Sequence, residues 1–274
     1  MSFVIDKQGD YLPVLGEAAS GGGGGGTTDH AELSHLDYAS SGHTGFMSSA
    51  NYIPGGTVIN IKADGSGDYA TIKDAVDSLY HKWSDGEVQI KLDEGTFTLD
   101  SQITFNGSNC NIPVIKLQGE GKTKTTIQNS VNNSIDVTNN IYVMFQNFAY
   151  VSTYGTKQAR AMVAQRATLY VSNVSFDNFA GYCPGAYGGG TALIGSGIEI
   201  SNCSQGINLE AGIARINWGA TIAFTNIANQ WFWVGGGAIL QGGMASCTYT
   251  NASTHFSQTV GTATADGWIT GFSV

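Results

Sequence analysis

Residues 167–179 read ATLYVSNVSFDNF, and this stretch shows a pattern that the chain repeats. Apolar and polar residues alternate on both sides of Asn173, which is typical of a β-strand with one buried face. Similar contexts surround four other asparagines, so the full set is Asn147, Asn173, Asn202, Asn226 and Asn251. Successive members lie 26, 29, 24 and 25 residues apart. Short strands that recur at such a period, without intervening helices, predict a β-solenoid.

The same five asparagines are predicted to form one ladder along the solenoid. Equivalent residues of stacked coils lie about 4.8 Å apart. Asparagine tolerates the left-handed backbone of a sharp corner, and its amide can bond to the coil above or below. The sequence therefore predicts Asn-to-Asn hydrogen bonds at one corner.

The composition fits a β-rich fold and argues against several functions. The chain has 38 glycines in 274 residues, and only 12% of its residues are charged, against about 25% in ordinary domains. A formal charge of −9 without any Lys or Arg cluster argues against nucleic-acid binding. No apolar run reaches the roughly 18 residues of a membrane helix, so no membrane insertion is expected. No metal or cofactor is predicted. The four cysteines are far apart in sequence and are predicted to be buried thiols: Cys110, Cys183, Cys203 and Cys247.

A different sequence pattern precedes the repeats. Residues 57–63 alternate like a strand, a DGSGD turn follows, and apolar residues then recur at helical spacing from Tyr69 to Trp83. Thr71 and Asp74 have the spacing of a helix-capping pair. The stretches GTVINIKADGSGDYATIKDAVDSL, LDEGTF and LQGEGKTKTTI resemble the start of pectin-lyase-like right-handed β-helix proteins, pectin methylesterases above all. The resemblance implies an all-β, right-handed parallel β-helix with one N-terminal capping helix, preceded here by an extended anchor and neck.

The catalytic motifs of the pectin methylesterases are not found. Gln158-Ala159 resembles part of one glutamine motif, but the chain reads DNFAGY after Phe176, where the family has QDTL. The motifs that carry the family's nucleophilic aspartate and its arginine have no counterpart, so no catalytic residue is assigned and no enzyme is predicted. The solenoid holds few carboxylates that could serve another sugar-cleaving reaction: Asp136, Asp177, Glu199, Glu210 and Asp266.

Residues 29–46 read DHAELSHLDYASSGHTGF and follow six glycines at 21–26. This segment resembles one found near the N-terminal part of many bacteriophage tail-fibre and other virion-appendage proteins. The resemblance implies a virion protein made in the host cytoplasm. The organisation expected is an attachment peptide at 1–20, a linker at 21–28, a neck at 29–56 and a β-helix body at 57–274. The neck is predicted to pack around the axis of a homotrimer through Leu33, Leu36, Tyr38, His43 and Phe46, with His30, His35 and His43 packing there and not binding a metal.

Aromatic residues suggest where the body binds. Exposed aromatic rings stack on sugars, and the candidates for glycan contact are Trp218, Trp231, Trp233, Tyr182 and Tyr187. Alternation in WFW places Trp231 and Trp233 on one face of the strand and Phe232 on the other. If Phe232 points inward, the two tryptophans point outward, where a subunit interface or packing under the glycine-rich loop is the alternative to a glycan. The predicted function is a structural virion appendage that docks to another virion protein through residues 1–20 and binds a host-surface polysaccharide. A head fibre or capsid decoration without a receptor role, and a glycan-depolymerising tailspike, are the alternatives.

Overall fold

The computed structural model describes residues 3–5, 11–13, 51–130, 135–154, 160–217, 220–242, 246–250, 256–258 and 261–264. The chain divides into two compact units, Met1–Phe46 and Met47–Val274. In the first unit, β1 (Phe3–Ile5) pairs antiparallel with β2 (Tyr11–Pro13). This hairpin lies within the predicted attachment peptide. The glycine linker and the predicted neck residues lie outside the described residues: Leu33, Leu36, Tyr38, His43 and Phe46.

The second unit is a parallel β-helix, because its described strands pair in parallel with strands of neighbouring coils. One face is a seven-stranded sheet made of β6 (Ile103–Asn106), β9 (Ile135–Thr138), β11 (Met162–Gln165), β13 (Gly185–Tyr187), β16 (Gln205–Glu210), β19 (Gln230–Gly235) and β22 (Phe256–Gln258). A second face consists of β3 (Val58–Ile61), β4 (Glu87–Leu92), β7 (Val114–Gln118), β10 (Tyr142–Ser152), β12 (Thr168–Asp177), β14 (Thr191–Ile194), β17 (Ile213–Ile216), β20 (Ala238–Gly242) and β23 (Gly261–Thr264).

A third face is continuous with the second, because β10 and β12 bend and take part in both. The first half of β10 pairs with β7, and its second half pairs with β8 (Thr125–Asn129). The other strands of this face are β5 (Gly95–Leu99), β15 (Ile198–Ser201), β18 (Thr221–Thr225) and β21 (Ser246–Thr250). Within the described residues, the predicted fold class is confirmed as a parallel β-helix with one helix near its N-terminal end.

The helix α1 spans Ile72–Ser78 and buries Ile72, Ala75 and Val76 against the first coils. Thr71 is its N-cap: the threonine hydroxyl accepts a hydrogen bond from the backbone N–H of Asp74 at 3.0 Å and donates one to the Asp74 carboxylate at 2.7 Å. The predicted capping pair is therefore confirmed. Within the described residues, no helix is long and apolar enough to cross a membrane.

Residues 51–56 pack on the first coil of the solenoid, although they were predicted to end the neck. The Tyr52 and Trp83 rings lie 4.4 Å apart between centroids. The backbone N–H of Gly55 donates to the Asp85 carboxylate at 2.8 Å, and that of Gly56 donates to the Glu87 carbonyl at 2.7 Å. The compact unit accordingly starts before Thr57.

The core runs along the axis between the three faces. Strand alternation directs every second side chain inward, and aromatic rings then stack from coil to coil. Phe105 and Phe145 meet edge to face with centroids 5.9 Å apart, and Tyr150 and Phe179 meet at 4.9 Å. Asn139, one coil after Asn106, donates its side-chain amide to the Asn106 side-chain oxygen at 2.9 Å. A buried aromatic column therefore holds the stack from inside, while amides tie adjacent coils at the surface.

The asparagine ladder differs from its prediction, because it occupies two corners. At the first corner, Asn173 donates its side-chain amide to the Asn147 side-chain oxygen at 2.9 Å. Both residues have positive φ, 51° and 62°. In the next coil Gly197 takes this position with φ 74°, so the amide ladder ends there. Asn-to-Asn bonding is confirmed for this pair.

The second corner carries Asn178, Asn202 and Asn226, all with positive φ. Asn226 donates its amide to the Asn202 side-chain oxygen at 3.0 Å, and Asn202 donates to the Asp177 carboxylate at 2.7 Å. Asp177 pairs in register with Ser201, so Asn178 is the counterpart of Asn202 in the preceding coil. The 29-residue step between Asn173 and Asn202 thus marks a change of corner. The prediction of one ladder was wrong because both corners share the same strand–Asn–strand pattern; Asn251 lies outside the described residues.

Candidate functional site

The outer side of the seven-stranded sheet brings together three of the five predicted glycan contacts. Tyr182, Tyr187 and Trp233 lie on this side, and the backbone of Trp231 belongs to β19. Trp218 lies outside the described residues. Phe232 is buried and meets Phe224 at 5.4 Å between centroids, so it points inward.

One row of residues runs along this outer side, parallel to the solenoid axis. Strand pairing aligns Asp136, Val163, Gly185, Asn208 and Trp233 across β9, β11, β13, β16 and β19. Such a row has a spacing of about 4.8 Å per coil. Val163 is fully buried although alternation directs it outward, so neighbouring side chains cover the middle of the row.

The two tyrosines lie side by side next to this row. Their ring centroids are 5.3 Å apart, and the ring planes are inclined by 30°. Gly185 permits this arrangement, because a Cβ at that position would lie 3.0 Å from both the Tyr182 and the Tyr187 ring. The stretch YCPGAY at residues 182–187 is therefore the element that builds the aromatic pair.

A hydrogen-bonded chain fixes one of the rings. The Tyr187 hydroxyl donates to the side-chain oxygen of Asn208 at 2.9 Å, and the Asn208 amide donates to Gln205 at 3.0 Å. Asn208 is only 6% exposed, so its side-chain oxygen is largely shielded from water and accepts the hydrogen bond from Tyr187. Burial raises the pKa of both Tyr182 and Tyr187, so both phenols are neutral hydrogen-bond donors throughout the physiological range.

An arginine and a tryptophan lie on the same side of the sheet as the tyrosine pair. The Arg160 guanidinium lies 6.0 Å from the centroid of the Tyr182 ring, within the range of a cation–π contact. The Trp233 indole lies against Gly235, where a Cβ would overlap the ring. Together, four residues form the tyrosine face: Tyr182, Tyr187, Asn208 and Trp233.

The sequence did not identify Asn208, although a signal for it existed. Ile207 and Leu209 are apolar, so alternation directs Asn208 outward, and it precedes Trp233 by one coil length. Arg160 and Gly185 were also missed, because their roles depend on the turn that follows Asn178.

Asp136 and Glu210, two carboxylates of the seven-stranded sheet, do not form a catalytic pair. Asp136 and Glu210 lie three coils apart, which corresponds to about 14 Å at the spacing of parallel strands. Paired carboxylates of glycosidases lie about 5–9.5 Å apart. This face therefore lacks the geometry for hydrolysis by a carboxylate pair.

Asp177 and Glu199, on the third face, are closer together. Ser175 pairs with Glu199 and Asp177 with Ser201, so the Cα atoms of Asp177 and Glu199 lie about 8 Å apart at ordinary strand spacings. Asp177 accepts hydrogen bonds from Ser201 and Asn202, both at 2.7 Å. Glu199 forms an ion pair with the Lys122 ammonium. Both carboxylates are engaged in contacts that join coils.

Metal ligation finds no support in the described part of the chain, where no group of three His, Cys, Asp or Glu side chains converges. The thiols of Cys183 and Cys203 lie 3.6 Å apart in the interior, and burial raises the pKa of Cys183. Such buried thiols pack as small apolar groups.

Three comparisons relate the chain to known proteins. No protein-family profile matches the chain, and no curated protein matches it. Among solved structures, the chain is similar to a pectin methylesterase from carrot, with 14% identity and a TM-score of 0.38 over 74% of this chain and 88% of that one. The architecture described above accordingly stands on the strand pairing of this chain itself.

Proposed function

We propose that this chain is a structural appendage of a bacteriophage particle whose β-helix binds a host-surface glycan through the tyrosine face. One observation carries the glycan part of the proposal. Two partly exposed tyrosine rings lie 5.3 Å apart, and Asn208 fixes one of them through its hydroxyl. Aromatic rings of this kind stack on the apolar faces of sugars.

The arrangement favours binding because little of it has to be ordered by the ligand. Immobilising a free side chain costs about 0.5–1.5 kcal/mol on association. The Tyr187 ring is already held by Asn208, and the Tyr182 ring is held by Arg160 and Tyr187. Axial alignment of the row also suits an extended polymer, which can contact successive coils.

The virion part of the proposal rests on sequence. The segment DHAELSHLDYASSGHTGF resembles virion-appendage proteins, and it lies between a glycine run and the solenoid. We place the protein on the phage surface as a homotrimer joined through residues 29–56, with residues 1–20 docked to another virion protein. Light scattering of the full-length chain tests the trimer, and a monomeric mass would contradict it.

Binding to an array of bacterial surface polysaccharides tests the receptor role. The wild-type chain is expected to retain a subset of glycans, and Tyr187→Ala and Trp233→Ala are expected to lose them. Tyr52→Ala provides the matched control, since Tyr52 lies on the first coil and outside the tyrosine face. Equal retention by Tyr187→Ala and wild type would refute the proposed site.

Two alternatives have distinct outcomes. A head fibre or capsid decoration retains no glycan, and imaging of intact particles would place it on the capsid. A depolymerising tailspike releases reducing ends from the polysaccharide that it binds. The approach of Asp177 and Glu199 makes that alternative testable, since Glu199→Gln would then abolish the release.

A further inference from the structure

A cleft of about 560 Å³ opens at the corner that joins the seven-stranded sheet to the second face. It lies between the turns that follow β9, β11 and β13 and the starts of β10, β12 and β14. Its lining is Pro113, Asn140, Ile141, Tyr142, Arg166, Ala167, Thr168, Gly189 and Thr191. Predictions from the sequence did not include this cleft.

The polar side chains of the cleft are unengaged. Within the described residues, no side-chain hydrogen bond or ion pair is formed by the five polar members Asn140, Tyr142, Arg166, Thr168 and Thr191. Some polar side chains elsewhere on the outer surface bond to the next coil, as Gln89 does to Gln118 and Ser196 does to Thr221. The cleft thus collects donors and acceptors that the fold leaves for another molecule.

Arg166 is the distinctive member of this set. The chain has three arginines. The Arg215 guanidinium donates to Gln241 at 3.0 Å, and the Arg160 guanidinium lies over Tyr182. The Arg166 guanidinium is exposed, with no hydrogen bond or ion pair to any described side chain.

The backbone holds Arg166 at the rim of the cleft. Its φ is 50°, and its carbonyl accepts a hydrogen bond from the Asn140 N–H at 2.6 Å. The equivalent corner positions hold Asn140, Gly189 and Ala211, all with positive φ, so the left-handed conformation belongs to this corner of the solenoid. The corner places Arg166 in the lining of the cleft.

The cleft continues the tyrosine face around the corner. Tyr187 ends β13, and Gly189, two residues later, lines the cleft. Gln165 pairs in register with Tyr187 and immediately precedes Arg166. One bound polymer can therefore reach both surfaces.

We infer that the corner cleft is an anion subsite that binds the carboxylate or sulfate substituent of a sugar on Arg166. The inference rests on the proposed glycan-binding function and names its ligand as an acidic glycan. Guanidinium groups bind such planar or tetrahedral anions through two parallel hydrogen bonds. The half-buried Tyr142 ring offers an apolar wall to the sugar, and Thr168 and Thr191 offer hydroxyl partners.

Side-chain NMR of the 15N-labelled full-length chain tests the subsite, because three arginines give three assignable Nε–H signals. Glucuronate and glucose 6-sulfate are expected to shift the Arg166 signal saturably, whereas glucose is expected to leave it in place. Inorganic sulfate separates a sugar site from a site for a free anion, and it is expected to bind more weakly than glucose 6-sulfate. Equal affinity for sulfate and glucose 6-sulfate would overturn the inference.

Variants separate this inference from the proposed function. Arg166→Gln is expected to weaken glucuronate binding about ten-fold, the value of one charge-assisted hydrogen bond, and Arg215→Gln is expected to leave it unchanged. Unchanged glucuronate affinity in Arg166→Gln would refute the subsite. If Tyr187→Ala abolishes polysaccharide binding while Arg166→Gln does not weaken it, the anion subsite fails and the tyrosine face stands. If neither variant alters polysaccharide binding, both fail.

Discussion

Substitution of Asn202 by alanine tests how the second corner stabilises the solenoid. The Asn202 side chain makes two hydrogen bonds between coils, as donor to Asp177 at 2.7 Å and as acceptor from Asn226 at 3.0 Å. Its φ of 53° lies in the left-handed region, where an alanine Cβ is strained. Asn202→Ala is therefore expected to lower the free energy of unfolding through three separate losses.

The magnitude follows from the contacts. A neutral hydrogen bond contributes about 1 kcal/mol, and a bond to a carboxylate about 1.5 kcal/mol at the low end that suits an exposed corner. The left-handed conformation adds about 1 kcal/mol for alanine. The total is about 3.5 kcal/mol. With a urea m-value of about 3 kcal/mol/M for a body of this size, the unfolding midpoint should fall by about 1 M.

Urea titration followed by circular dichroism measures this midpoint, and two variants serve as controls. Asn202→Gly loses the same bonds but accepts positive φ, so it should be more stable than Asn202→Ala by about 0.5–1 kcal/mol. Asn111→Ala removes an exposed amide without a side-chain partner among the described residues and should stay within about 0.5 kcal/mol of wild type. The reasoning is refuted if Asn202→Ala matches wild type, or if Asn202→Gly is the less stable of the two.

Four other perturbations have defined outcomes. Tyr150→Phe should raise the free energy of unfolding by about 1 kcal/mol in the same titration, because the buried Tyr150 hydroxyl has no hydrogen-bond partner among the described residues; a loss of stability would show that it has one. Phe176→Ala should lower it by about 3–5 kcal/mol, since Phe176 is 0% exposed, and a loss below about 1 kcal/mol would contradict its place in the core. Gly190→Ala should reduce the yield of folded protein in size-exclusion chromatography, because a Cβ would overlap the Ala164 carbonyl, and a wild-type yield would contradict that packing. Burial raises the pKa of Cys110 to about 11, so its alkylation rate should keep increasing with pH well above 9 in a Cys110-minus difference assay; a plateau near pH 9 would indicate an exposed thiol.

Local patterns allowed the fold to be predicted. Strand alternation predicted that Phe232 and Trp233 lie on opposite sides of their strand, and the Thr71–Asp74 spacing predicted the helix cap. Both depend on residues that lie within one turn or one strand of each other. A solenoid magnifies such local information, because each coil mainly contacts its neighbours.

Registry between coils could not be read in the same way. Asn173 and Asn178 sit in nearly the same sequence context, so the chain does not reveal which of them aligns with Asn202. Only strand pairing decides it, since Asp177 lies opposite Ser201. The 29-residue step was the available signal, because it exceeds the neighbouring steps by the length of one strand between corners.

The same limit applied to the candidate site. Tyr182 and Tyr187 were predicted to contact a glycan because they are aromatic. The hydrogen bond from Tyr187 to Asn208, however, depends on the alignment of β13 with β16. The corner cleft required the alignment of three turns, among them those that contain Arg166 and Gly189. Sites that arise from stacked coils therefore become visible only once the coils are aligned.

Core packing behind the sheet supports the tyrosine face. The turn after Asn178 is held at both ends by buried side chains, Phe179 and Cys183, each 0% exposed. Phe179 packs on Tyr150, and the Cys183 thiol lies 3.6 Å from that of Cys203 in the following coil. With both ends anchored in the core, Tyr182 between them has little freedom to leave the outer surface. The rigidity of the proposed binding face therefore comes from core packing behind it, which lowers the entropic cost of ordering the face when a glycan binds.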